Sequence, residues 1–359
     1  MQAPCSDNSG LQQRPRGTIA GLSALEGMSD GFAIIAIGAS AGGVDALRTI
    51  VAALPADLNA AVFVVLHIGA HRSDLPWLLS RSGALPAAHG VDGEEVVAGR
   101  IYVAPPDHHM VIADGRVGLT KGPRENWARP AIDPLFRSAA RSFGPNVAGV
   151  ILTGGLNDGT AGLYEIKRRG GTAIVQDPAD CLTPNMPQSA IANVDVDHIV
   201  PASAIGDLLT RLAGSIPSGS TSRQASDGQE EAMVAEFTHD LPVAVTCPDC
   251  GGALRRSELG RLTQFSCHIG HVYTAEVMLA AQFLAMERFV EQAMRSLSER
   301  AELCRQMVVQ IGDDAERAAQ REAWHAASQE AVEQSEPLRA LITRPWIHPG
   351  LSRMDFRPQ

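Results

Sequence analysis

Three side chains in the first half of the chain have complementary acid–base chemistry. Ser40 stands in Ile37-Gly38-Ala39-Ser40-Ala41-Gly42-Gly43. His67 closes Val62-Phe63-Val64-Val65-Leu66-His67. Asp158 lies in Gly154-Gly155-Leu156-Asn157-Asp158-Gly159. A serine hydroxyl is a weak nucleophile at neutral pH and needs a base, imidazole can supply it, and a carboxylate orients the imidazole and stabilises its cation. Together they point to ester or amide hydrolysis through an acyl-serine. Taken singly, each has a plainer use: a serine in such a turn caps a helix, a strand-end histidine is structural, and Asn-Asp-Gly forms turns. The glycine-rich turn could also cradle a phosphate at a helix N-terminus. A dinucleotide site would want an acidic residue ending the second strand and a glycine in mid-turn. This chain has His67 and Ser40 there, which weighs against a nucleotide enzyme.

A second cluster lies far downstream: Cys247-Pro248-Asp249-Cys250, then Cys267-His268-Ile269-Gly270-His271. Two close pairs separated by a strand-rich spacer have the spacing of a zinc ribbon, and four thiolate and imidazole ligands make a closed, structural site. The expected ligands are Cys247, Cys250, Cys267 and His271. His268, adjacent to Cys267, reaches the same ion less easily. Reduced thiols without metal, or a redox pair, are the alternatives. The hydrolysis itself calls for no cofactor.

For Ser40, His67 and Asp158 to meet, each must sit at the carboxyl end of a strand in one sheet, where open parallel sheets place their sites. Strand-like apolar runs fall at 33–37, 61–66, 100–104, 147–153, 171–175 and 198–200, with helix-like stretches at 44–54, 74–82, 134–142, 161–169 and 202–213. That alternation implies an α/β fold with a doubly wound, mostly parallel sheet. Segments 110–113 and 116–120, around Asp114-Gly115, read as a β-hairpin. The apolar fraction of 45% with only 4% aromatics suits a sheet covered by aliphatic helices. A net charge of −10 argues against nucleic-acid binding. No apolar run is long enough for a membrane span, and the N-terminus does not read as a secretory signal, so a cytoplasmic location is expected.

Residues 31–214 resemble the catalytic domain of the chemotaxis receptor methylesterases, the CheB family. The matching motifs are Ile37-Gly38-Ala39-Ser40-Ala41-Gly42-Gly43, Val65-Leu66-His67, Tyr102-Val103-Ala104-Pro105-Pro106-Asp107-His108-His109, Arg129-Pro130-Ala131-Ile132-Asp133-Pro134-Leu135-Phe136, Leu152-Thr153-Gly154, Asn157-Asp158-Gly159, Gln176-Asp177-Pro178 and Asn185-Met186-Pro187. The resemblance implies a Ser-His-Asp triad acting on glutamate γ-methyl esters of the methylated cytoplasmic domain of chemoreceptors. Methanol is released, and the family often deamidates receptor glutamines as well. Carried over by position, Ser40 is the nucleophile, His67 the base and Asp158 the orienting carboxylate. Amides near Ala41 and in 154–156 are expected to hold the oxyanion. Where the family usually has Thr-Gly-Met-Gly, this chain has Thr153-Gly154-Gly155-Leu156. A receiver domain usually precedes the family's catalytic domain; here about 30 residues do, so control by phosphorylation in cis is not expected. A non-catalytic adaptor that keeps the esterase fold is the alternative reading.

The remaining organisation follows composition. Residues 1–30 read as an unstructured lead-in, 31–214 as the methylesterase domain and 215–240 as a Ser/Gly/Gln/Glu-rich linker. Residues 241–273 form the Cys/His module, 274–343 a helical segment and 344–359 a tail. A heptad-like stripe runs through Phe283, Met286, Val290, Ala293, Leu297, Ala301, Cys304, Val308 and Ile311. Its partner is either an intrachain helix at 315–341 or a second copy, giving a dimer through this helix.

Overall fold

The computed structural model describes residues 31–68, 72–215 and 243–343. The expected lead-in, almost all of the linker and the tail lie outside the described residues.

The first half alternates as its sequence pattern demands. In chain order the elements are β1 (Ala33–Ala39), α1 (Gly43–Ala52), β2 (Ala60–Leu66), α2 (Leu75–Ser82), β3 (Ala87–His89) and β4 (Arg100–Val103). The hairpin β5 (His109–Ala113) and β6 (Arg116–Thr120) follows. Then come α3 (Ile132–Phe143), β7 (Val147–Ile151), α4 (Thr160–Arg168), β8 (Thr172–Gln176), α5 (Asn185–Asn193), β9 (His198–Val200) and α6 (Ala202–Gly214). Seven strands form one sheet in the order β3-β4-β2-β1-β7-β8-β9, every neighbouring pair parallel. β1 and β2 are buried along their whole lengths because both faces are covered. Ile35 and Ile37 enter one core with Leu47, Ile50 and Leu209 from α1 and α6; Ile34 and Ala36 enter the other with Phe136 and Ile166 from α3 and α4. The chain winds outward from β1 in one direction, then restarts beside it at β7. That reversal opens a crevice at the carboxyl ends of β1, β2 and β7.

Several boundaries differ from expectation. β7 stops at Ile151 rather than 153: the Thr153 amide leaves the ladder to bond Gln176 Oε1 at 2.9 Å. α3 starts at Ile132, with Pro134 in its first turn, where a missing N–H costs nothing. The three-residue edge strand β3, and α5 with Pro187 in its first turn, lack a periodic apolar signal and are additions to the expected pattern.

The second half is a four-stranded antiparallel sheet in sequential order: β10 (Val243–Thr246), β11 (Ala253–Leu259), β12 (Leu262–Cys267) and β13 (Val272–Thr274). It leads directly into α7 (Ala275–Ile311), which packs along α8 (Ala318–Thr343). Within the expected stripe Ala301, Cys304 and Ile311 are buried, and Ser328 Oγ of α8 donates to the Ala301 carbonyl at 3.0 Å; Ala293 is exposed. Among the described residues no helix is long and apolar enough to cross a membrane.

Candidate functional site

The crevice gathers the three strand-end residues. The Ser40 amide donates to the Thr153 carbonyl at 3.0 Å, and the His67 amide to the Ala39 carbonyl at 3.2 Å, so the loops after β1, β2 and β7 are stitched together at their roots. Thr153 Oγ1 adds a bond to the Ala41 carbonyl at 2.9 Å. Gly42, with φ +79°, makes the sharp turn that starts α1 behind Ser40. Gly154 has to be glycine for a different reason: a Cβ there would come within 2.8 Å of the Ser40 Cβ and 2.2 Å of Met186 Sδ. The Ser40 turn and the loop that carries Asp158 therefore touch directly.

His67 Nε2 lies 2.8 Å from Asp158 Oδ2. The imidazole is about one-fifth exposed, whereas the carboxylate is sealed from solvent. Asp158 Oδ2 also accepts the Ile132 amide at 2.7 Å, and Oδ1 accepts Asn126 Nδ2 at 3.0 Å. Burial alone would raise the Asp158 pKa. The His67 hydrogen bond and charge, with the two further donors, outweigh it and hold the carboxyl below the usual range. Its neighbour Asp133 goes the other way. Complete burial and the Asp158 charge push Asp133 up to about 8. Two adjacent buried carboxylates cannot both ionise cheaply, and the partners decide that Asp158 holds the charge. No hydrogen bond joins Ser40 Oγ to His67; such contacts are often long before substrate binds. Of the amides expected at the oxyanion, that of Gly154 is spent on the Thr183 carbonyl at 2.8 Å.

Sequence reasoning missed Asn126. It is buried, has φ +48°, and donates to both Asp158 and Asp133 (2.9 Å). An asparagine with positive φ between two strongly predicted elements leaves no periodic trace. Leu156 also has positive φ, +60°, and its partly buried side chain packs, as that of Trp127 does, against the apolar cluster of the C-terminal module. Its unusual backbone is thus matched by apolar contact across the molecule.

The Cys/His cluster forms at one end of the small sheet. One donor atom each from Cys247, Cys250, Cys267 and His271 lie within 4.8 Å of one another. Cys250 Sγ to Cys267 Sγ is 3.6 Å, and Nδ1 of His271 is 3.7 Å from Cys247 Sγ and 3.4 Å from Cys267 Sγ. Metal–sulfur bonds of about 2.3 Å in a tetrahedron space their sulfurs by about 3.8 Å, so this donor set fits an ion. Two tight turns build it. Gly251 (φ +71°) donates to the Cys247 carbonyl, and Gly270 (φ +100°) to that of Cys267, so each turn brings its two candidate donors close together. His268 is exposed and stays outside the cluster. Behind it, Asp249 accepts the Tyr273 hydroxyl at 2.7 Å and faces His271 Nε2 at 3.9 Å, the position of a carboxylate that orients a ligating imidazole.

Comparison with known proteins singles out the first half. The model of the CheB methylesterase family matches residues 35–209. A Leptospira interrogans protein named "Putative protein-glutamate methylesterase/protein-glutamine glutaminase" is 40% identical over 184 residues, half of this chain and 95% of that protein. A protein-glutamate methylesterase/protein-glutamine glutaminase of Symbiobacterium thermophilum is 35% identical over 217 residues, 59% of this chain and 58% of that protein. The crystal structure of the Thermotoga maritima CheB methylesterase catalytic domain covers 51% of this chain and 99% of its own, at 35% identity and a TM-score of 0.49.

Proposed function

This chain belongs to the CheB methylesterase family, and we propose that it is a protein-glutamate methylesterase using Ser40, His67 and Asp158. The observation that carries the mechanism is the short contact between His67 Nε2 and the sealed Asp158 carboxylate, at the mouth of the crevice that Ser40 enters. With Nε2 engaged by Asp158, Nδ1 is the nitrogen left to take the Ser40 proton. Ser40 Oγ attacks the ester carbonyl as His67 accepts that proton. The Ala41 amide, one residue past the nucleophile, is the donor proposed for the oxyanion. Protonated His67 then passes its proton to the departing methanol. Water attacks the acyl-serine with His67 again as base, which frees the glutamate carboxylate and Ser40. The same cycle applied to a glutamine carboxamide would release ammonia, the second activity in the relatives' names.

The proposed substrate is the methylated cytoplasmic domain of a chemoreceptor, which places the enzyme in the cytoplasm. Zinc is the ion proposed for Cys247, Cys250, Cys267 and His271, since a closed thiolate–imidazole tetrahedron suits it and leaves no open position for chemistry. Its part would be structural. Dimerisation through α7 is supported by Phe289 and Leu303, which remain exposed within about 40° of each other round the helix.

The test is methanol release from methylated receptor. Ser40→Ala, which removes one oxygen, is expected to lower kcat by roughly a millionfold with the fold unchanged. Retained turnover would end the assignment.

A further inference from the structure

The acid loop is held from behind by a chain of contacts that reaches outside the family match. Asn126 Nδ2 donates to Asp158, and Asn126 Oδ1 accepts the Thr274 amide at 3.1 Å. The Asn126 amide itself donates to the Val272 carbonyl at 2.9 Å. Thr274 is the N-cap of α7. Its hydroxyl lies 2.6 Å from Asn157 Oδ1, and Asn157 Nδ2 donates to Glu276 Oε2 at 2.7 Å. Asn126, Asn157, Asp158 and Thr274 are all at most 4% exposed. Leu156 packs, partly buried, against the module's apolar cluster. Three consecutive residues, 156 to 158, are thus tied to the β13–α7 corner, the last of them through Asn126.

A carboxamide has one accepting and one donating end. The Thr274 amide can only donate, so it fixes which way Asn126 faces and aims the Nδ2 donor at Asp158. We infer that Asn126 is a positioning residue for Asp158, locked by Thr274, and that the C-terminal module is thereby a working part of the esterase. The inference rests on the triad reading above. Without the Asn126 donor, Asp158 Oδ1 is left unpaired in a sealed site, beside Asp133 and within the field of His67, His109 and Arg137, with Glu125 facing Asp133, His109 and Arg137 in turn. A carboxylate with one donor fewer binds protons more tightly, whether its own or through the imidazolium.

The experiment uses full-length protein. Asn126→Ala is expected to lower kcat roughly a hundredfold with little change in KM. The acid limb of the kcat/KM profile should move to higher pH. Thr274→Pro removes the amide donor from the module side, at a φ of −75° that proline accepts, together with the hydroxyl that bonds Asn157 and caps α7. It should move the limb in the same direction although Thr274 does not touch Asp158. If Asn126→Ala does not fold, Asn126→Gly accommodates φ +48° and is read in its place. A folded variant with a wild-type limb overturns the inference, even when kcat has fallen, because a purely structural loss lowers the profile without sliding it. If wild-type protein releases no methanol, the functional reading fails instead. The inference is then judged by the NMR resonance of the proton between His67 Nε2 and Asp158. That resonance must shift in Asn126→Ala; an unshifted one refutes the coupling.

Discussion

The seven-stranded and four-stranded sheets answer the same problem with different physics. The large sheet buries both faces, so β1 and β2 are almost purely aliphatic and every other side chain serves a different core. The small sheet has one thin core built from Cys247, Leu254, Cys267, Tyr273, Val277, Met278 and Ala281, in which two of seven members are thiols. β11 is largely exposed. In the first the buried contacts are spread over apolar area; in the second they are concentrated in the Cys/His cluster and the corner where β13 enters α7. A domain with spread-out stability can afford a strained, polar crevice at its edge. A module with concentrated stability has few places to lose a contact.

The largest expected effect breaks the small sheet alone. Structural zinc contributes about 10–16 kcal/mol of apparent folding free energy in isolated fingers. A tight chelator, or Cys267→Ser, is therefore expected to abolish hydrogen-exchange protection across β10–β13 while the amides of β1, β2 and β7 keep theirs. Equal protection in both sheets after complete metal removal would erase the proposed difference.

A smaller effect is expected where the area is large. Phe63 is fully buried and stacks on Tyr102 with ring centroids 4.8 Å apart. Phe63→Ala should cost about 3–5 kcal/mol by removing buried area and leaving a cavity. Urea unfolding would show the α/β sheet melting earlier, and metal content unchanged. A loss below about 1 kcal/mol would mean that this core repacks far more freely than its interdigitation suggests.

The same contrast explains what could be read before the structure. Apolar runs gave away β1, β2 and β7 and the strand-end positions of Ser40 and His67, because burial on both faces leaves an uninterrupted local signature. The Cys-x-x-Cys and Cys-x-x-x-His spacings were legible for a similar reason, since each pair sits in one tight turn. Asn126 and Thr274 were not. They stand 148 positions apart, and their bond depends on how two separately patterned sheets dock. Nor does any local preference announce Leu156 at φ +60°, and the apolar cluster its side chain packs against is more than 80 positions away in sequence. The Gly154 amide was expected at the oxyanion, but its bond to Thr183 comes from the turn ahead of α5, an element with no periodic signal.

The last expected effect lies at the seam between the two sheets and concerns pH. Asp133 accepts the Gly162 amide at 2.7 Å and Asn126 Nδ2 at 2.9 Å, and is pushed up to about 8 by burial and by the Asp158 charge. In the unfolded chain it ionises near 4. Between those values the folded state holds a proton that the unfolded state has released. This group's contribution to stability is therefore complete below about 4, declines by about 1.4 kcal/mol per pH unit, and is gone once the folded carboxyl ionises above about 8. Asp158, held low, works in the opposite sense but only in acid, where falling pH removes its contribution. Asp133→Asn cannot titrate. It should lower stability overall, because an amide accepts at only one of the two positions. Its unfolding free energy should nevertheless fall less steeply than wild type between pH 5 and pH 8. Urea midpoints across that range measure the two slopes. Parallel slopes would show that Asp133 is ionised in the folded protein, and that the charge at the seam is not confined to Asp158.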